Sequence, residues 1–184
     1  MLFIGDSITA GWTASKDVWQ KYYGAYHPAN FGIGGDRTQN VLWRIENGEL
    51  DGISPKVVVL LIGVNNGGGP EAARGARKVV EAIRAKLPQS RILLLGIFPH
   101  GHSPTDPPWN ATARASIIET NKDLAALDDG KHIRFLDFGP KFLDANGAIS
   151  KDILPDGLHP GPAGYQIWAD AMQPLLEEML KDPK

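Results

Sequence analysis

Short apolar runs and amphipathic stretches alternate along the chain. Leu2–Gly5 predicts a buried strand, and Lys16–Tyr23 predicts a helix after it. Ala29–Phe31 reads as a weaker strand, closed by Gly32-Ile33-Gly34-Gly35, and Thr38–Glu46 as a helix with Val41, Leu42 and Ile45 on one face. Over Lys56–Ile62 the pattern is clearest, because five consecutive Val/Leu residues (Val57–Leu61) lie between Pro55 and Gly63. An apolar run without polar alternation fits a strand covered on both faces, as in parallel sheets.

Pro70 opens a helix to Leu87, with Ala72, Ala76, Val79, Val80, Ile83 and Leu87 at helical spacing, and Pro88 stops it. Arg91–Ile97 predicts a fourth strand, His100–Asn110 a loop, Thr112–Leu127 a helix, His132–Leu136 a fifth strand and Gly139–Leu158 a largely irregular stretch. The last helix begins near Pro162, with Tyr165, Trp168, Met172 and Leu176 on one face; Pro174 should kink it or mark an irregular part. Strand–helix alternation of this kind predicts one α/β domain built on a parallel, doubly wound sheet.

Composition narrows the function. With 19 Lys+Arg against 21 Asp+Glu in 184 residues, the net charge of −2 offers neither a nucleic-acid footprint nor a polybasic membrane patch. The absence of cysteine removes thiol nucleophiles, disulfides and Cys-ligated zinc. No stretch has the length of a transmembrane helix. No secretory signal is read in this chain, yet Met1 runs directly into the first apolar run, which leaves a trimmed leader, and hence localisation, open.

In open parallel sheets, ligands bind beyond the carboxyl ends of the strands. The segments expected there are Gly5-Asp6-Ser7-Ile8-Thr9, Gly34-Gly35-Asp36-Arg37-Thr38, Gly63-Val64-Asn65-Asn66 and, by a longer loop, Pro155-Asp156-Gly157-Leu158-His159-Pro160. Taken singly, each is bland: Ser7 reads as a turn former or helix cap, Gly35 as a turn glycine, Asn65 as a turn residue, and Asp156 and His159 as surface groups before a helix. Together they hold a hydroxyl, an imidazole, a carboxylate able to orient it, and amide donors for an oxyanion. His100 and His102, at a two-residue spacing, raise a metal, but the chain has no cysteine to complete such a site. The glycines lack the spacing of a dinucleotide fingerprint, and no Walker-type loop is present, which weakens a nucleotide-binding reading.

Gly5-Asp6-Ser7, Gly35, Gly63-Val64-Asn65 and Asp156-Gly157-Leu158-His159 resemble the four blocks of the SGNH, or GDSL-type, hydrolase superfamily, in the same order and at similar spacing across nearly the whole chain. The segments Asn30–Asp36 and Val41–Leu50 further resemble the platelet-activating factor acetylhydrolase Ib catalytic-subunit-like esterases. Many superfamily members carry Asp at the position of Asn66; the acetylhydrolase-like group has Asn. The resemblance implies a three-layer α/β/α, flavodoxin-like fold with a five-stranded parallel sheet in the order 2-1-3-4-5. It implies Ser7 as nucleophile, His159 as base and Asp156 as its orienter, with the oxyanion hole from Ser7, Gly35 and Asn65 and no metal or cofactor. The expected function is hydrolysis of a short-chain, acetyl-type ester (an acetylated sugar or lipid, or an aryl ester) through an acyl-enzyme. A lysophospholipase or acyl-thioesterase and a non-catalytic carbohydrate-binding module are the competing readings. The loop carrying His100, His102 and Trp109 is expected either to wall the substrate pocket or to be a solvated proline-rich loop, and a homodimer is an expectation of the resemblance alone.

Overall fold

In a computed structural model of the chain, residues 1–105 and 110–181 are described. Among them, five strands form one parallel sheet in the order β2-β1-β3-β4-β5: β1 Leu2–Gly5, β2 Ala29–Gly32, β3 Val57–Leu61, β4 Arg91–Leu95 and β5 Ile133–Leu136. The helices are α1 Ser7–Ala10, α2 Lys16–Tyr23, α3 Thr38–Glu46, α4 Gly69–Lys86, α5 Ala111–Ala125 and α6 Pro162–Lys181. This is the expected fold and strand order.

The uninterrupted apolar runs are explained by period-2 side-chain alternation with both faces covered. Phe3, Val57, Val59, Leu61, Leu93 and Leu95 face one layer, where they meet Trp12, Tyr23 and the α6 residues Tyr165, Trp168, Met172 and Leu176. Leu2, Ile4, Val58, Leu60, Ile62, Ile92 and Leu94 face the other, against Val41 and Ile45 of α3 and Ala76, Val79, Val80 and Ile83 of α4. The sheet edge strand β2 is only half-buried, which accounts for its weak apolar pattern.

One expectation is corrected. The fourth strand ends at Leu95 rather than Ile97. Asn121 captures the Ile97 backbone instead, its Oδ1 accepting from the Ile97 N–H and its Nδ2 donating to the Ile97 carbonyl, both at 2.9 Å. Ile97 and Phe98 stay apolar because they are buried below the loops of the site, not because they pair. At Pro174, α6 runs on without an irregular part. A proline inside a helix costs about 3 kcal/mol, and fully buried Met172 and Leu176 on either side supply burial to offset it.

The register aligns Gly5 with both Gly32 and Leu61, and Leu60 with Leu94. The segments that follow β1, β2, β3 and β4 therefore emerge at one edge of the sheet.

Candidate active site

Ser7 owes its position to the residue before it. Asp6 caps α1, its Oδ1 accepting the Ile8 N–H at 2.9 Å, so that Ser7 becomes the first helical residue directly after β1. The following turn plunges Trp12 into the core, where its ring lies 4.5 Å from Tyr165 and 5.1 Å from Trp168, centroid to centroid. The short helix carrying Ser7 is thus anchored by an aromatic cluster.

The second half of the site is a turn. Asp156 Oδ1 accepts the backbone N–H groups of Leu158 and His159 at 2.9 and 2.7 Å, and Gly157, at φ +82°, supplies the left-handed residue the turn requires. The carboxylate is thereby folded back on its own loop, and its Oδ2 lies 2.7 Å from His159 Nδ1. A carboxylate on Nδ1 selects the tautomer with the proton there, which leaves Nε2 as an acceptor. Nε2 lies 2.9 Å from Ser7 Oγ. Residues 152 apart in sequence are thus within hydrogen-bond reach. Partial burial alone would raise the Asp156 carboxyl, but the His159 backbone N–H, the His159 ring and the Leu158 N–H outweigh it and hold the group down at about 2. The Asp156 and His159 side chains keep 58% and 42% of their exposure, so the arrangement is open to a solute.

Gly35 and Asn65 lie on neighbouring loops. A Cβ at Gly34 would stand 4.0 Å from Ser7 Cβ, and Gly35 itself takes φ +80°. Asn65 Nδ2 donates to the Asp36 carbonyl at 2.9 Å, tying the loop after β3 to the loop after β2 and leaving its second amide hydrogen for another acceptor. The four loops singled out in the sequence are therefore brought together around Ser7.

Residues 3–167 match the profile of the GDSL-like Lipase/Acylhydrolase family. The chain belongs to that family. Platelet-activating factor acetylhydrolase IB subunit alpha1 of Homo sapiens is 35% identical over 187 residues, covering 98% of this chain and 76% of the relative. The alpha2 subunit of Rattus norvegicus is 34% identical over 185 residues, covering 99% and 78%. A GDSL-like lipase from Bacteroides thetaiotaomicron superposes with a TM-score of 0.75 at 21% identity, over 96% of this chain and 87% of that one. A carbohydrate acetylesterase family member from Sinorhizobium meliloti does so with a TM-score of 0.73 at 18% identity, over 97% and 98%. At these identities the structural likenesses speak to the fold.

This GDSL-family hydrolase contains several site-supporting residues that its sequence pattern did not reveal. Arg44, on α3, bonds Asp36 and the Phe31 carbonyl. Arg114, on α5, reaches the carbonyls of His100 (3.0 Å) and Gly101 (2.7 Å), and also that of Gly147. Asn66 Oδ1 accepts the Thr38 N–H at 3.0 Å at the start of α3, a structural use for the residue that varies in the third block. Each arginine reads in the sequence as an ordinary charged residue of an amphipathic helix, and only its place beside buried neighbours (Ile45 for Arg44, Ile117 for Arg114) could have signalled its role.

The described part of the loop after β4 is packed rather than solvated. The Gly101 N–H donates to the Gly157 carbonyl at 2.7 Å, and His102 Nδ1 lies 3.3 Å from the Ile149 carbonyl, so this loop walls the Asp156–His159 turn. His100 and His102 sit in different surroundings. The His100 ring is buried edge-on to Phe98, centroids 5.9 Å apart, and burial, helped by Arg114, pushes it down to about 4. Trp109 lies outside the described residues.

Among the described residues no helix is long and apolar enough to cross a membrane. Asp6 is buried, and burial raises its carboxyl to about 6 against the pull of the Ile8 N–H and of His159; Asp36 adds to the rise.

Proposed function

We propose that the chain is a serine esterase that hydrolyses short-chain, principally acetyl, carboxylic esters through an acyl-enzyme. One observation carries the reading: the continuous line of contacts from Ser7 Oγ to His159 Nε2 (2.9 Å) and from His159 Nδ1 to Asp156 Oδ2 (2.7 Å). In this scheme the Ser7 oxygen attacks the ester carbonyl while His159 takes its proton, and Asp156 stabilises the imidazolium that forms. The tetrahedral oxyanion accepts hydrogen bonds from the Ser7 and Gly35 N–H groups and the Asn65 amide. As the intermediate collapses, the C–O bond to the leaving alcohol breaks and His159 protonates that alcohol. Water, deprotonated by His159, then attacks the acyl-Ser7 ester, and the carboxylic acid leaves as Ser7 regains its proton.

The acetyl preference is supported by the relatives of about a third identity, whose names specify an acetylhydrolase. A panel of acetylated sugars, an acetylated ether phospholipid and p-nitrophenyl esters of increasing chain length, run beside Ser7→Ala, tests both parts. Acetyl esters should turn over fastest and Ser7→Ala should retain less than about a thousandth of the turnover. Wild-type hydrolysis by Ser7→Ala would refute the serine mechanism, and a preference for long acyl chains would refute the acetyl assignment.

A further inference from the structure

The loop that offers Gly35 is Gly32-Ile33-Gly34-Gly35-Asp36, a segment with three glycines in five residues. Such a segment has a large conformational entropy to lose before it can hold an N–H group in one place. An oxyanion donor has value only when it is already aimed, because catalysis by donors that reorganise during the reaction is poor. Something must therefore hold this loop at both ends.

One side chain does. Arg44, in the last turn of α3, reaches back over the loop. Its Nη2 donates to the Phe31 carbonyl, just before the loop, at 3.3 Å, and to Asp36 Oδ2, at its end, at 2.7 Å; its Nε also donates to Asp36 Oδ2, at 3.0 Å. The remaining nitrogen meets the Glu49 carboxylate, so the guanidinium is shared between two acidic side chains, and the Arg44 and Asp36 side chains keep only 12% and 11% of their exposure. The contact continues into the second donor. The backbone carbonyl of the same Asp36 accepts the Asn65 amide at 2.9 Å, so the residue that Arg44 holds sets where that amide points.

We propose that Arg44 is a positioning residue for the oxyanion hole, holding the Gly35 N–H and the Asn65 amide in the geometry that the tetrahedral intermediate needs. The proposal rests on the serine-esterase reading above. A planar guanidinium suits the task because its fixed fork binds a carbonyl and a carboxylate at once, which an ammonium on a flexible stem does not. The Arg44 nitrogens are taken up by Asp36, the Phe31 carbonyl and Glu49, so its effect should fall on the transition state rather than on binding.

The test is a double-mutant cycle on p-nitrophenyl acetate hydrolysis with Arg44→Gln, Arg44→Lys and Asn65→Ala, alone and combined, below the melting temperature of each variant. Arg44→Gln should lower kcat about 10–100-fold with KM within about twofold, as expected when donors are misplaced by part of an ångström. Arg44→Lys should recover part of that loss. In the Asn65→Ala background, where one of the two positioned donors is gone, the cost of the Arg44 change should shrink several-fold. If Arg44→Gln does not fold, Arg44→Lys carries the same cycle with its charge retained. Folded Arg44 variants with kcat within twofold of wild type, or an equal cost in both backgrounds, would overturn the proposal. Ser7→Ala measured alongside separates the two levels: if it is inactive while the Arg44 variants are unimpaired, only the positioning role falls, whereas a fully active Ser7→Ala removes the esterase reading itself.

Discussion

The Tyr165 hydroxyl donates to the Ile8 carbonyl at 2.7 Å, joining α6 to the residue after Ser7 across 157 positions of sequence. This bond links the helix that follows the His159 loop to the helix that carries Ser7, so the two halves of the site share a support.

Tyr165→Phe keeps the ring in its cluster and removes that bond. The expected loss is about 1–2 kcal/mol of stability, which for a chain of this size lowers Tm by about 2–8 °C. Calorimetry of the two proteins checks it. An unchanged Tm would show that the Ile8 carbonyl gains nothing from the hydroxyl.

Asp156→Asn should separate structure from chemistry. The amide oxygen can still accept the Leu158 and His159 N–H groups, so the turn should persist and Tm should change little. The negative charge that favours the His159 imidazolium is lost, however, and an amide can face the ring in a way that selects the other tautomer. Turnover of p-nitrophenyl acetate should fall about 10³–10⁴-fold. Because the Asp156 carboxyl is held down at about 2, it stays ionised through ordinary assay conditions and should place no inflection in the wild-type pH–rate profile between pH 4 and 9.

Much of this arrangement was legible in the chain. Val57–Leu61 announced a strand with both faces covered, and Ser7, Gly35, Asn65, Asp156 and His159 stood where strand ends converge. What stayed hidden depends on long side chains acting across space. Arg44 meets Asp36 from the far end of a helix, Arg114 binds carbonyls of two separate loops, and Asn121 takes over the backbone of Ile97. Local pattern records which face a residue occupies, but not which distant carbonyl it reaches.

Asp6 should make stability depend on pH. Its folded-state carboxyl, raised by burial to about 6 from an ordinary 3.8, binds its proton more tightly than in the unfolded chain. Between about pH 4 and 6 the folded state therefore holds more protons, and stability falls as pH rises, by up to about 3 kcal/mol once the group is ionised in both states. Asp6→Asn keeps a capping oxygen for the Ile8 N–H and cannot ionise. Its Tm relative to wild type should be several degrees higher at pH 7 than at pH 4. A Tm difference that is the same at both values would show that the buried carboxyl is not raised.

The separation of Ser7 from His159 by 152 residues also has a temporal side. During translation the hydroxyl leaves the ribosome long before the imidazole is made, and the aromatic helix that steadies both follows the imidazole. On the esterase reading, a nascent polypeptide stalled anywhere between Ser7 and His159 bears the attacking group without a base to arm it, so hydrolytic power arrives late and all at once.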